Sequence, residues 1–268
     1  MSDQQRPPVN EVVLSLGLAP QDALIGPRLP ELLGRWFDEF PEIQTVPPYD
    51  IPVEQQGFKS PVGNSFPGFE ILSTAPRPRY WLTATGNPYL VQIQSDYIAL
   101  NWRRQATEEY VRYDAVRERF TDLIKTVAAN LQRRGASLLP VKAELTYINI
   151  IAPNAAWSRP SDAHSLFAFQ FPDQESYDSV LFGYSKPLRV DDTWTGRMHV
   201  NLQTVYDMIS DEPRLSLNLT SRSTPLPSAH LAAGLEFLDH AHGATNRTFR
   251  KLLTPAARTI WGLDDDHK

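Results

Sequence analysis

The sequence predicts an α+β fold of two related lobes, each an antiparallel meander sheet covered by a long amphipathic helix. Three observations carry that expectation. Strand-like segments come in runs joined by tight turns, one long helical stripe follows each run, and a Pro-containing stretch separates the two sets.

The elements follow in order. "PPVNEVVLSLGL" (7–18) alternates and reads as a strand entered from prolines, and "PRLPELLGRWFDEFP" (27–41) places Leu29, Leu32, Leu33, Trp36, Phe37 and Phe40 at helical spacing up to Pro41. Residues 41–79 are rich in proline and read as an irregular excursion with one short strand around Phe69–Ser73, long enough to be a candidate functional loop. "RYWLTATG" (79–86), "YLVQIQS" (89–95) and "YIALNWRR" (97–104) read as a three-stranded meander with Gly-Asn and Ser-Asp turns. Residues 113–135 carry the stripe Tyr113, Val116, Phe120, Ile124, Val127 and Leu131, and Gly135 is the natural stop. "PVKAELTYINIIAP" (140–153) is a strand between prolines.

Residues 153–163, "PNAAWSRPSDA", are the expected linker between an N-terminal lobe (1–152) and a C-terminal lobe (164–268). Beyond it, "HSLFAFQF" (164–171), "YDSVLFGYS" (177–185), "TGRMHVNLQTVY" (195–206) and "PRLSLNLTS" (213–221) read as four strands. A helix then runs from about Ser228 to Leu253, and Thr254-Pro255 is a good cap and first-turn pair for a short terminal helix.

Composition limits the function classes. The chain has 268 residues, no Cys and a net charge of −5. Disulfides, thiol nucleophiles and Cys-based metal sites are therefore excluded, and no global field draws it to nucleic acid or anionic lipid. The N-terminus lacks the basic start and apolar core of a secretory signal, and no apolar run approaches a bilayer span, so a soluble cytoplasmic chain is expected. No Walker phosphate loop, dinucleotide Gly-x-Gly-x-x-Gly, His-Glu-x-x-His or Gly-x-Ser-x-Gly is present. Arg159 and His164 have a spacing known from helical ribonucleases, but Pro160 lies between them in the expected linker, which removes that reading.

The most chemical stretch is "FLDHAHGATNR" (237–247). On a helix, residues two apart point about 200° apart, so His240 and His242 cannot readily grip one metal ion. His242 falls on the apolar stripe with Leu231, Leu235, Leu238, Phe249 and Leu253, whereas His240 joins Arg247 and Lys251 on the solvated side. His242 is thus the one weak catalytic candidate, an acid–base group with Asn246 and Arg250 one and two turns on, set against the plainer reading of a histidine satisfied by an internal hydrogen bond. A second constellation, with Asn101, Trp102, Arg103 and Arg104 at a strand end and Tyr110 and Arg112 introducing the next helix, offers an aromatic-cationic corner for an anion or a partner's acidic residue. Its plainer reading packs Trp102 and pairs the arginines with Glu108 and Glu109. Tyr147 and Asn149 share a face with Leu145 and Ile151, and a buried Asn demands partners. Arg197, His199, Asn201 and Gln203, with Arg214, Ser216, Asn218 and Thr220, would form a broad polar sheet face, either solvated or a docking surface.

In order along the chain, "PPVNEVVLSL", "LVQIQSDYIALNWRR…YVRYDAVRERF", "AELTYINII" and "FLDHAHGATNRTFRKLLTPAARTIWG" together resemble a sporadically distributed bacterial family of uncharacterised function. The Arg that commonly precedes Tyr-Ile-Asn in that family is Thr146 here. The resemblance implies an accessory system such as defence, toxin–antitoxin or immunity, and it singles out Asn101, Trp102, Tyr147, Asn149, His242, Phe249, Thr254 and Trp261. The expectation that follows is a non-enzymatic binding or interaction protein, with another protein as the first partner class and a small ligand as the second, and with no cofactor, metal or membrane. The alternative is a hydrolase working in a cleft between lobes with His242 as acid–base. Asn101, Trp102, Arg103, Tyr147, Asn149, His242 and Asn246 are the candidate binding residues.

Overall fold

A computed structural model describes residues 7–21, 24, 28–57, 78–105, 110–169 and 177–263. Strand β1 (Val9–Leu18) is followed by two short helices, α1 (Leu29–Leu33) and α2 (Arg35–Glu39), and then β2 (Glu42–Val46), β3 (Arg79–Thr83), β4 (Tyr89–Gln94) and β5 (Tyr97–Arg103). Helix α3 (Tyr113–Gln132) and strand β6 (Pro140–Ile151) complete the first half. The second half holds α4 (Ala163–Leu166), β7 (Leu181–Val190), β8 (Thr193–Tyr206), β9 (Pro213–Ser223), α5 (Leu231–Leu252) and α6 (Pro255–Ile260).

The strands form one antiparallel sheet of nine, in the order β2-β3-β4-β5-β1-β6-β9-β8-β7. Two separate meander sheets were expected. β1 joins them, because it hydrogen-bonds to β5 along one edge and to β6 along the other, with Leu14 opposite Leu100 on one side and Leu145 on the other. Val12, Leu14, Leu16 and Leu18 of this central strand are all buried on one face of the sheet.

One face of the sheet carries the core. Val12, Leu14 and Leu16 of β1, Ile98, Leu100 and Trp102 of β5, Leu145 and Tyr147 of β6, Met198, Val200 and Leu202 of β8, and Leu217 and Leu219 of β9 all belong to one buried cluster. Helix α5 lies on β6 and β9, while α3 packs against β5 and α1. A Cβ at Gly234 of α5 would sit 2.7 Å from Leu16 Cδ2, so a side chain there would require the Leu16 side chain to move.

The opposite face is polar, and part of the 41–79 excursion crosses it. Ile51 packs on Tyr97 and Ala99. Tyr49 exchanges hydrogen bonds with Gln94, its N–H donating to Oε1 (3.0 Å) and its carbonyl accepting from Nε2 (3.1 Å). The Tyr49 hydroxyl donates to Glu144 (2.8 Å), a carboxylate only 6% exposed that also accepts from Arg222 Nε. Glu54 accepts from Arg197 Nε (3.0 Å) and His199 Nε2 (2.6 Å), and Lys142 Nζ donates to the Ile51 carbonyl (2.7 Å). Arg197 and His199, expected in solvent or a docking surface, are therefore engaged by the chain itself.

Four local expectations differ from the fold. The helix expected over 27–41 is two short helices, broken at Gly34, whose φ of +54° no helix accommodates. Residues 42–46, expected irregular, form β2, an edge strand with four of its five residues exposed. The strand expected over 164–171 begins instead as α4, with Phe167 making an isolated bridge to Leu253. The stretch expected as a linker is folded onto the protein: Trp157 is buried, its indole N–H donates to the Ala152 carbonyl (2.9 Å), and Pro160–Asp162 form a 3-10 turn. The strand expected around Phe69–Ser73 lies outside the described residues, as do Glu108 and Glu109. The Thr254 cap is present, its side chain accepting from Ala257 N (3.1 Å).

Candidate functional site

Alternation along β6 puts Tyr147 and Asn149 on the helix-covered face, in line with Leu145 and Ile151. Helical spacing along α5 lays His242, Thr245, Asn246 and Phe249 over them. The chain thereby plants a polar patch inside an otherwise apolar helix–sheet interface.

His242 stands at its centre. Its ring stacks on Tyr113, with centroids 3.8 Å apart and planes 5° from parallel. The Tyr147 hydroxyl lies 2.7 Å from Nδ1, and Asn246 Nδ2 lies 3.0 Å from Nε2. Burial holds the imidazole below its usual pKa, against the opposing pull of Asp114 and Asp239. The ring is therefore neutral near pH 7. With Asn246 donating to Nε2, the ring proton sits on Nδ1 and is donated to the Tyr147 oxygen. Tyr147 then keeps its own hydroxyl hydrogen to give elsewhere. Burial raises the Tyr147 pKa far above the ordinary phenol value, so the hydroxyl stays a donor.

The neighbouring charges are already committed. Asp239 accepts from the Tyr113 hydroxyl (2.8 Å) and from Arg117 at Nε (2.9 Å) and at the Nη2 end of the guanidinium (3.0 Å). Among the described residues, His242 bonds to no carboxylate and to no Ser or Thr hydroxyl; the hydroxyl it meets is the phenol of Tyr147.

Beside this patch lies a cavity of about 210 Å³, lined by Val9, Tyr110, Tyr147, Asn149, Thr245, Asn246, Phe249 and Arg250 among others. Thr245 is 2% exposed, and among the described residues its hydroxyl has no hydrogen-bond partner. A buried hydroxyl without a partner costs about 1–3 kcal/mol, so it marks a place where a bound group would repay that cost. Asn149 ties its amide to the Leu217 carbonyl (2.9 Å), and Arg250 reaches the Leu263 carbonyl (3.3 Å).

Of the seven residues expected to bind, Tyr147, Asn149, His242 and Asn246 come together here. Asn101 and Arg103 do not, because successive residues of β5 face opposite ways and these two lie on the face away from Trp102. Both point to the polar face, where Glu11 accepts from Asn101 Nδ2 and from Arg103 Nε (3.1 Å). Arg103 also lies over Trp81, 5.5 Å from its ring centroid. Trp102 is on the cavity side but one layer back, edge-on to Tyr110 at 5.6 Å. Thr245 and Tyr113 were missed, and Tyr110 was expected with the Trp102 corner rather than beside His242. Thr245 was findable, since it lies one turn beyond His242 on the same stripe, but nothing local to Tyr113 announces a helix more than a hundred residues away.

No group of three or more His, Asp or Glu side chains that could hold a metal ion occurs among the described residues. Among the described residues, no helix is long and apolar enough to cross a membrane. Compared with family models, curated proteins and solved structures, the chain matches none.

Proposed function

We propose that the protein acts by binding rather than catalysis, and that a small polar group enters the cavity beside α5. The observation that carries this reading is the partnerless Thr245 hydroxyl, buried in the wall of a cavity that also presents Tyr147, Asn246 and Arg250. Both ring nitrogens of His242 are occupied, by the Tyr147 hydroxyl and the Asn246 amide, and among the described residues no Ser or Thr hydroxyl or carboxylate is bonded to it, which favours a positioning role over the acid–base role of the hydrolase alternative. The two halves of the sheet belong to the same reading: β3–β5 with α3 and β7–β9 with α5 are two related lobes fused through β1. The resemblance to a sporadically distributed family supports an accessory setting, such as an antitoxin-like or immunity role, in which the bound group is presented by a partner protein or is a free small ligand.

Thermal-shift screening against metabolites and nucleotides, followed by calorimetry on the hits, tests the reading with Thr245→Val. The variant should keep or gain stability, because it removes an unsatisfied hydroxyl, while its affinity for a hit falls by about tenfold. Equal affinity in variant and wild type would overturn the assignment of the cavity. Pull-down from the native host addresses the partner, and a chain that returns alone would count against the antitoxin-like setting.

A further inference from the structure

The other flank of α5 carries a second cavity of about 210 Å³, between the helix and the edge strand β7. Its wall holds Lys186 and Arg189 from β7, and His240, Arg247, Thr248 and Lys251 from α5. Every charged or titratable group in this lining is basic. No salt bridge joins Lys186, Arg189, Arg247 or Lys251 to a described carboxylate.

This concentration is unusual for a chain with a net charge of −5. Several arginines elsewhere are paired: Arg197 and Arg222 with glutamates on the polar face, and Arg117 with Asp239 across α3 and α5. Basic residues in the last turn of α5 also complement the helix dipole, which accounts for Lys251. It does not account for Lys186, which arrives from a strand more than sixty residues earlier and is only partly exposed. Its ammonium donates to the Thr248 hydroxyl, which itself donates to the Ala244 carbonyl (2.7 Å). Thr248 thus anchors the ammonium, and two of its three hydrogens have no described acceptor. Burial lowers the Lys186 pKa, and Lys251 and Arg247 lower it further by repulsion. Burial likewise lowers the His240 pKa, with Arg247 adding to the effect. The cations repel one another with nothing in the described chain to neutralise them.

We propose that this groove is a binding site for a terminal phosphoryl group, a phosphate monoester or diphosphate. An anion there would relieve the repulsion among Lys186, Arg247 and Lys251 and accept the unmet ammonium hydrogens. Arg247 supplies the planar fork suited to two phosphate oxygens, and Lys186 and Lys251 act as point charges on either side. The site is independent of the cavity at Thr245: the two lie on opposite flanks of α5 and share no lining residue.

Isothermal titration of the full chain with inorganic pyrophosphate, at ionic strength fixed with sodium chloride and with citrate in parallel, tests the assignment. The proposal expects saturable pyrophosphate binding that weakens by about tenfold or more in the exposed double variant R247Q/K251Q, while T245V binds as the wild type does. Unchanged melting of the double variant confirms that it is folded, and K186M, which removes the anchored ammonium, should weaken binding in the same way. Vesicles of phosphatidylcholine with and without phosphatidic acid separate the two sources of the phosphoryl group. Pyrophosphate binding without vesicle binding assigns a soluble ligand. Cosedimentation with phosphatidic acid that pyrophosphate competes away, and that the double variant loses, assigns a lipid headgroup. The proposal is overturned by an absence of saturable pyrophosphate binding, by equal affinity in R247Q/K251Q, by tighter binding of citrate, or by a single-stranded oligonucleotide that binds where pyrophosphate does not.

Discussion

The two faces of the sheet are made from the same strands, one residue out of phase, and they are held by different physics. The helix face is a continuous apolar layer, from Leu82 and Val91 through Leu14 and Leu145 to Leu217 and Val200. The other face is held by charges and amides: Glu144 between Tyr49 and Arg222, Glu54 between Arg197 and His199, and Asn101 between Gln92 and Glu11. An apolar layer tolerates any filler of the right volume, whereas a buried ion network tolerates the loss of a whole pair far better than the loss of one partner.

That difference is open to direct attack. Glu144→Ala leaves Arg222 only a 4.0 Å approach to Glu54, strands the Tyr49 hydroxyl and should cost about 4 kcal/mol, within the range for breaking a buried ion pair. Leu217→Ala, at a fully buried position on the helix face, should cost about 3 kcal/mol through lost transfer energy and a residual cavity. Urea denaturation measures both. The sharper arm is rescue: Glu144→Leu combined with Arg222→Met should recover most of the loss, and no second substitution of that kind should rescue Leu217→Ala. A Glu144→Ala cost below about 1 kcal/mol would mean that this face is solvated and held no more tightly than a surface pair.

A smaller change isolates the segment that crosses the polar face. Tyr49→Phe removes one hydrogen bond to a carboxylate, for about 1.5 kcal/mol, while keeping the edge-on ring contact with Tyr97 at 5.2 Å. Burial, then the nearby Glu144 charge, push the Tyr49 hydroxyl up, so it donates throughout the working range of pH. Hydrogen exchange should speed up in residues 47–57 and stay unchanged in β6 beneath them. Equal acceleration in both would show that the segment and the sheet open as one unit.

Part of this contrast was legible in the sequence. Period-two alternation located β1, β4, β5, β6, β8 and β9, and the stripe beginning at Tyr113 located α3, because long regular elements repeat their signal many times. The same alternation cannot say what covers a polar face. Arg197 and His199 read as solvated because their cover, Glu54, comes from a proline-rich stretch with no period of its own. "HSLFAFQF" misled in the opposite direction. Its spaced phenylalanines imitate a strand, yet Ala163–Leu166 make one turn of helix and Phe167 forms only an isolated bridge, to Leu253. At the candidate site, Tyr147, Asn149, His242 and Asn246 were found because polar residues interrupted apolar stripes. Lys186 was not, since on its strand it looks like any solvated lysine and only the packing of α5 brings it to Arg247 and Lys251.

The faces also differ in how they treat a proton, and this yields the smallest effect. The polar face pairs its acids with cations, whereas the helix face holds His242 neutral between Tyr113, Tyr147 and Asn246, with Asp114, Asp239 and Arg117 as the nearby charges. Its folded pKa lies below the ordinary value of 6.5, chiefly through burial. Below pH 6.5 the unfolded chain therefore binds more protons than the folded one, and stability falls as pH falls toward the folded pKa. Above that window the contribution is fully present. His240 shifts in the same direction, so the comparison must be with a variant that removes His242 alone. His242→Gln should flatten the decline in melting temperature on acidification from about pH 7 to about pH 5, leaving the His240 share in place. The carboxylates of Asp162 and Asp207, whose pKa values hydrogen bonds lower, act only beneath this window. Equal slopes for variant and wild type would mean that the ring takes up its proton as readily in the fold as in the unfolded chain, which would reopen His242 as an acid–base group.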